Sequence, residues 1–135
     1  MPENNEDLVS KAEKVIKRIG REDNRNPGKL FFYLTTNQIR KFLSAISAIA
    51  NKVNVYKTQN PNTDNLSQDL ADEIRYLKIL LVYQAGRERN VDTFVRESGL
   101  LQKIDKVGTS VAKFVKLSKY VEALVAYHKF YGGRD

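Results

Sequence analysis

Apolar residues recur at spacings of three and four along most of this chain, the period of a helix buried on one side, and no segment alternates strictly as a half-buried strand does. The longest apolar run lies within residues 70–87 (LADEIRYLKILLVYQAGR), where Leu70, Ile74, Leu77 and Leu81 form one stripe. Ile79, Leu80, Val82 and Tyr83 widen that stripe until little polar face is left. A helix that is apolar nearly all round has to be enclosed by other elements. The pattern therefore predicts that this helix is central, packed by the rest of the chain.

The flanking segments have the character of such packing helices. Residues 5–19 place Leu8, Ala12, Val15, Ile16 and Ile19 on one face, with Glu3, Glu6 and Asp7 at the start and Lys14, Lys17 and Arg18 at the end, charges that complement a helix dipole. Gly20 and the polar stretch 21–29, with its Asn-Pro-Gly turn signal, predict that the N-terminal 30 residues are only loosely attached to a single helical domain spanning residues 1–135. The second helix has the clearest start: Thr35 and Gln38 form a capping box, and Leu34 and Ile39 have the spacing of a hydrophobic staple. Ile39, Phe42, Leu43, Ile46, Ile49, Ala50 and Val53 continue its inner face, while Asn37, Arg40, Lys41, Ser44, Asn51 and Lys52 form an outer face without an acid.

Residues 54–66 lack periodicity and contain Asn-Pro, so they read as a surface loop. Asn65 with Gln68 is the expected cap of the central helix. A fourth helix, capped by Asn90, places Val91, Phe94, Val95, Leu101 and Ile104 inward, and Ser98-Gly99 inside it predicts a kink or break, since glycine costs about 1 kcal/mol relative to alanine there. Gly108-Thr109 then caps a fifth helix with Val111, Phe114, Val115, Leu117, Val121, Leu124 and Val125 on a broad apolar face, Lys113, Lys116 and Lys119 as a stripe, and Gly132-Gly133 as its stop. The fold class expected is all-α, a compact bundle of about five helices, with Phe31, Phe42, Phe94 and Phe114 in the core.

Charge and composition narrow the function. With 135 residues, no cysteine and one histidine, the chain offers no disulfide framework, no thiolate site and no zinc or iron centre of the usual kind. It has no run long enough to cross a membrane, and its acidic N-terminus is unlike a secretion signal, so a cytoplasmic protein is expected. No phosphate-cradling glycine loop of either common kind is present, and no carboxylate pair stands out as an acid and base. His128 suits the dipole at the end of the fifth helix rather than catalysis. The sequence therefore reads as a non-enzyme that needs no cofactor. A net charge of +7 favours polyanionic partners. Aromatics interleaved with basic residues, at Phe31, Phe32 and Tyr33 after Lys29, at Tyr76 between Arg75 and Lys78, and at Tyr127, Phe130 and Tyr131 around Lys129, are of the kind that stacks bases and pairs phosphates.

Three stretches in order, Leu34 to Ser44 (LTTNQIRKFLS), Tyr83 to Arg87 (YQAGR) and Tyr120 to Gly133 (YVEALVAYHKFYGG), resemble the small subunit of the type III-A CRISPR effector, the Csm complex. The resemblance covers most of residues 34–133 and is not carried by the N-terminal 30 residues or by 54–66. It implies a non-catalytic helical subunit that stacks in several copies beside the guide-RNA backbone and lines the channel for target RNA, with cutting assigned to a neighbouring subunit. The partners implied are guide RNA, target RNA, other Csm subunits and further copies of the chain. Sequence would be read by guide pairing, and this chain would supply a basic wall blind to sequence. Arg40 and Lys41, in the matching threonine-capped segment, are then the first RNA contacts, with Arg75, Lys78 and Arg87 of the central helix second and Lys113, Lys116 and Lys119 added by charge. A free-standing helical nucleic-acid-binding protein and a helical adaptor that binds only protein remain as alternatives.

Overall fold

The computed structural model describes residues 7–135, so the expectation for Glu3 and Glu6 lies outside the described residues. Helix α1 (Leu8–Ile19) is followed by a two-stranded antiparallel hairpin, β1 (Arg21–Glu22) and β2 (Leu30–Phe31), and then by α2 (Thr36–Gln59), α3 (Gln68–Arg87), α4 (Arg89–Ser98), α5 (Leu100–Val107) and α6 (Val111–Tyr131). The all-α expectation holds, with six helices among the described residues in place of about five. Gly99 makes the difference. Its φ of 67° lies in the left-handed region, where glycine carries no Cβ penalty, and the predicted break there divides one helix into α4 and α5.

The start of α2 follows its sequence signals closely. Thr35 Oγ1 accepts from the Gln38 amide at 3.1 Å, Gln38 Oε1 accepts from the Thr35 amide at 2.8 Å, and Leu34 and Ile39 are both buried. Its end does not follow. The helix continues through Gln59 into the segment expected to be loop, because Val53 is buried on its inner face and the Tyr56 hydroxyl donates to the Asn65 carbonyl at 3.0 Å. The connection to α3 is correspondingly short. Ser67, not Asn65, caps α3, its hydroxyl accepting from the Leu70 amide at 3.3 Å, while Asn65 bridges to Ser110. Ser110 in turn caps α6 in place of Thr109, and no side chain caps α4, since Asn90 lies inside that helix.

The central helix is α6 rather than α3. Phe114, Leu117, Tyr120, Val121, Leu124 and His128 are all buried on it, and it packs against α1, α2 and α5. Val115, expected inward, is exposed at its edge. α3 packs against α2, α4 and α5 through Leu70, Ala71, Ile74, Leu77 and Leu81, and stops there. Its widened apolar surface faces outward: Tyr76 is 66% exposed, Ile79 57%, Val82 51% and Tyr83 60%. Nothing among the described residues encloses that side.

Ala12, Val15 and Ile16 of α1 are buried in the same core as the later helices, where a loose tether was expected from the polar segment that follows. Phe32, not Phe31, enters the core from the hairpin, and Phe31 is 49% exposed, whereas Phe42, Phe94 and Phe114 are buried as the periodicity predicts. Adjacent residues in extended backbone point to opposite sides, so only one of the Phe31-Phe32 pair can face inward.

Candidate nucleic-acid interface

Three contacts tie the entrance of α2 to the far end of α6. The Thr36 amide donates to the Arg134 carbonyl at 2.9 Å, the His128 Nε2 lies 2.8 Å from the Leu34 carbonyl oxygen, and Phe32 packs on the imidazole with ring centroids 4.7 Å apart. At the other end of the pair, Asn65 bridges to Ser110 and the Val111 amide donates to the Asp64 carbonyl at 3.1 Å. α2 and α6 are therefore antiparallel.

That arrangement decides which basic residues share a surface. Arg40 and Lys41 are exposed on the first turns of α2, opposite buried Ile39 and Phe42, and neither forms an ion pair among the described residues. Lys113, Lys116 and Lys119 are exposed near the start of α6, beside the end of α2. The Tyr56 hydroxyl reaches Asn65, which bridges to Ser110, so Tyr56 marks the level at which α6 begins. Arg40 lies sixteen residues from that level, and Lys113, Lys116 and Lys119 lie three to nine residues back toward Arg40, which at 1.5 Å of rise per residue leaves roughly 10 to 20 Å between the two groups along the bundle. They stand on two different helices and at different heights of the bundle.

The candidates on α3 divide differently. Lys78 is held by both carboxylate oxygens of Asp105, at 2.9 and 3.0 Å, and so joins α3 to α5 with its charge already matched. Arg75 lies 3.7 Å from Asp72 one turn away, an exposed pair of the kind that contributes little. Arg87 closes α3 with its guanidinium 5.6 Å from the centre of the Tyr83 ring. Because Gln38 donates to the carboxylate of Glu88, the end of α3 lies beside the start of α2, and Arg87 shares a corner of the molecule with Arg40 and Lys41.

The same corner continues into residues that sequence patterning passed over. Arg21, Tyr33, Arg89, Asn90 and Thr93 line an open cleft of about 340 Å³ between the hairpin and α4. Arg21 falls in the polar stretch 21–29, and two strands of two residues each carry no periodicity that could have marked the hairpin. Elsewhere, Lys103 is a lysine that pattern did not single out: burial, then Lys11 and Lys106 nearby, pushes its ammonium down to about 8, against the Tyr120 ring at 4.9 Å.

His128 is fully buried, and burial holds its imidazole below the usual histidine range despite the opposing effect of its bond to Leu34. Its Nδ1 has no partner, and a methyl on Gly133 would overlap the ring, so it sits sealed in the core. Among the described residues no cluster of His, Asp and Glu could hold a metal ion, and no helix is long and apolar enough to cross a membrane.

Residues 3–134 match the protein family described as Csm2 Type III-A. The chain belongs to that family. The match begins well before the stretches that carry the resemblance and includes α1 and the hairpin. A "CRISPR system Cms protein Csm2" from Streptococcus thermophilus is 32% identical over 130 residues, covering 96% of this chain and 95% of that protein. Proteins of the same description from Mycobacterium tuberculosis and Enterococcus italicus are 34% identical over 130 residues, with 96% and 95% covered, and 37% identical over 125 residues, with 89% and 86% covered. This Csm2 family chain therefore shares nearly the full length of its relatives.

Proposed function

We propose that the chain is the non-catalytic small subunit of a type III-A CRISPR effector, the Csm complex, and that it stacks in several copies and holds target RNA along its basic surfaces. The observation that carries the reading is the pair Arg40 and Lys41, exposed on the capped first turns of α2 and without ion pairs among the described residues, in a chain of the Csm2 family. Two unmatched cations on a rigid helix attract phosphates without reading bases, and guide pairing then supplies the sequence information. In this reading the chain's contribution is positional.

The outward face of α3 fits the same reading. Four large apolar or aromatic side chains side by side on one helix are more than scattered surface apolar residues, and a contiguous patch of this kind marks a protein contact. We assign it to the protein subunits of the complex or to the next copy of the chain, leaving the basic faces of α2 and α6 for RNA.

Recovering the tagged chain from its native host tests the proposal. Copurification with a guide RNA and large effector subunits supports it. Recovery alone with salt-sensitive RNA affinity would favour a free-standing nucleic-acid-binding protein, and recovery with protein but no RNA would favour an adaptor.

A further inference from the structure

The cleft between the hairpin and α4 has a composition unlike its surroundings. It presents two arginines, Arg21 and Arg89, an exposed tyrosine, Tyr33, and the polar side chains of Asn90 and Thr93, and no carboxylate lines it. Neither arginine forms an ion pair among the described residues. Of the carboxylates nearest in sequence, Glu88 accepts from Gln38, Asp92 is paired with Arg96 and Asp23 accepts from Asn26 and the Arg25 amide, while Glu22, next to Arg21, lines the adjoining cleft on the hairpin instead. Positive charge is thus concentrated where no acid of the cleft offsets it.

Tyr33 is held as a platform. Phe31 meets its ring edge-on, with centroids 5.0 Å apart at 89°, the Arg21 guanidinium lies 5.9 Å from its centre, and Asn90 donates from α4 to its backbone carbonyl at 3.1 Å. The ring is nevertheless 58% exposed. An aromatic ring fixed on one side and open on the other stacks any base, and guanidinium forks match phosphate oxygens. A cleft of about 340 Å³ falls at the lower end of the size range of small-ligand sites.

We propose that this cleft takes one nucleotide, with its base stacked on Tyr33 and its phosphate held by Arg21 and Arg89. The ligand is a nucleotide within single-stranded RNA or a free nucleoside monophosphate, which present the same base and phosphate. The inference rests on the reading that this chain binds RNA, but it concerns residues separate from Arg40 and Lys41.

The test uses the full chain with two probes, a labelled ten-nucleotide single-stranded RNA and adenosine monophosphate. Tyr33→Leu should weaken the oligonucleotide about 5- to 160-fold, the range for losing one stacked base, while Tyr33→Phe retains binding. Arg21→Gln and Arg89→Gln should each lower the slope of log affinity against log salt by about 0.7. Circular dichroism of each variant checks that it is folded. If the monophosphate also shifts the Tyr33 and Thr93 resonances to saturation, the cleft accepts a nucleotide outside a strand; Tyr33-dependent oligonucleotide binding with a silent monophosphate assigns it to strand-borne nucleotides. Either result supports the cleft. Oligonucleotide binding that ignores Tyr33→Leu, or a wild-type chain that binds neither probe, overturns it. Loss in Arg40→Ala/Lys41→Ala without loss in Tyr33→Leu removes the cleft and leaves the α2 surface standing, and the converse removes α2 and keeps the cleft.

Discussion

His128 on α6 reaches across to Leu34, its Nε2 2.8 Å from the carbonyl oxygen that precedes the cap of α2. A carbonyl only accepts, so Nε2 carries the proton and the neutral ring leaves a bare Nδ1 buried without a partner. Protonating that nitrogen would bury a charge beside the Lys129 ammonium, and burial, more than Lys129, depresses the folded-state pKa. The unfolded chain then takes up the proton first as pH falls. Stability conferred by the neutral ring is fully present above about 6.5, the unfolded value, and is lost progressively as pH drops from there to the lowered folded value. Because the chain has one histidine, denaturant melts between pH 7 and 5 should show a decline that is absent in His128→Gln. A wild-type profile as flat as the variant's would mean the imidazole is not sealed.

Gly133 lies against that same ring, and its amide donates to the His128 carbonyl at 2.7 Å. Gly133→Ala must push the ring or the tail aside, and overpacking of this sort costs about 1 to 3 kcal/mol. The loss should shrink in a Gly133→Ala/His128→Ala double variant, because a smaller neighbour makes room for the methyl. Additive losses in the double-mutant cycle would show that the two residues do not press on each other.

Leu77 and Leu81 separate the inner side of α3 from its outer side. Both are buried, so truncating either to alanine should cost about 2 to 5 kcal/mol in the isolated chain. Ile79→Ser and Val82→Ser, on the outward face, should stay within about 0.5 kcal/mol of wild type, as surface changes do. Their effect is expected instead on recovery with partner proteins, which should fall. Equal destabilisation by inner and outer substitutions would place both sides in the chain's own core.

These contrasts explain what could be read from the sequence. The Thr35–Gln38 box and the Gly99 break were legible because each is a local rule with its partners a few residues away. The outward face of α3 was not, because apolar periodicity reports that a surface is to be covered and is silent on whether this chain or another covers it. α2 ran past its expected end for a related reason: the local signals of 54–66 favour a turn, and the burial of Val53 and the bond from Tyr56 to Asn65 outweigh them. Among the candidate contacts, charge identified Lys78 as readily as Arg40, and only the fold reveals that Asp105, 27 positions away in sequence, already matches it.

Arg40 and Lys41 give the sharpest test of mechanism. Their neighbours Ile39 and Phe42 are buried, while they themselves point away from the core, so Arg40→Ala/Lys41→Ala should leave the melting midpoint close to wild type. If each neutralises one phosphate of a single strand, the double variant in the assembled complex should lower the slope of log affinity against log salt by about 1 to 1.5. The change should be the same for two unrelated guide and target pairs, since phosphate contacts position a strand without reading its bases. Lys78→Ala is the internal comparison: its ammonium already faces Asp105, so its removal should leave the slope unchanged and, as an exposed pair, cost no more than about 1 kcal/mol. Titration of wild type and both variants over a salt series reads all of this at once. An unchanged slope for the α2 pair would transfer the RNA surface to Lys113, Lys116 and Lys119 on α6.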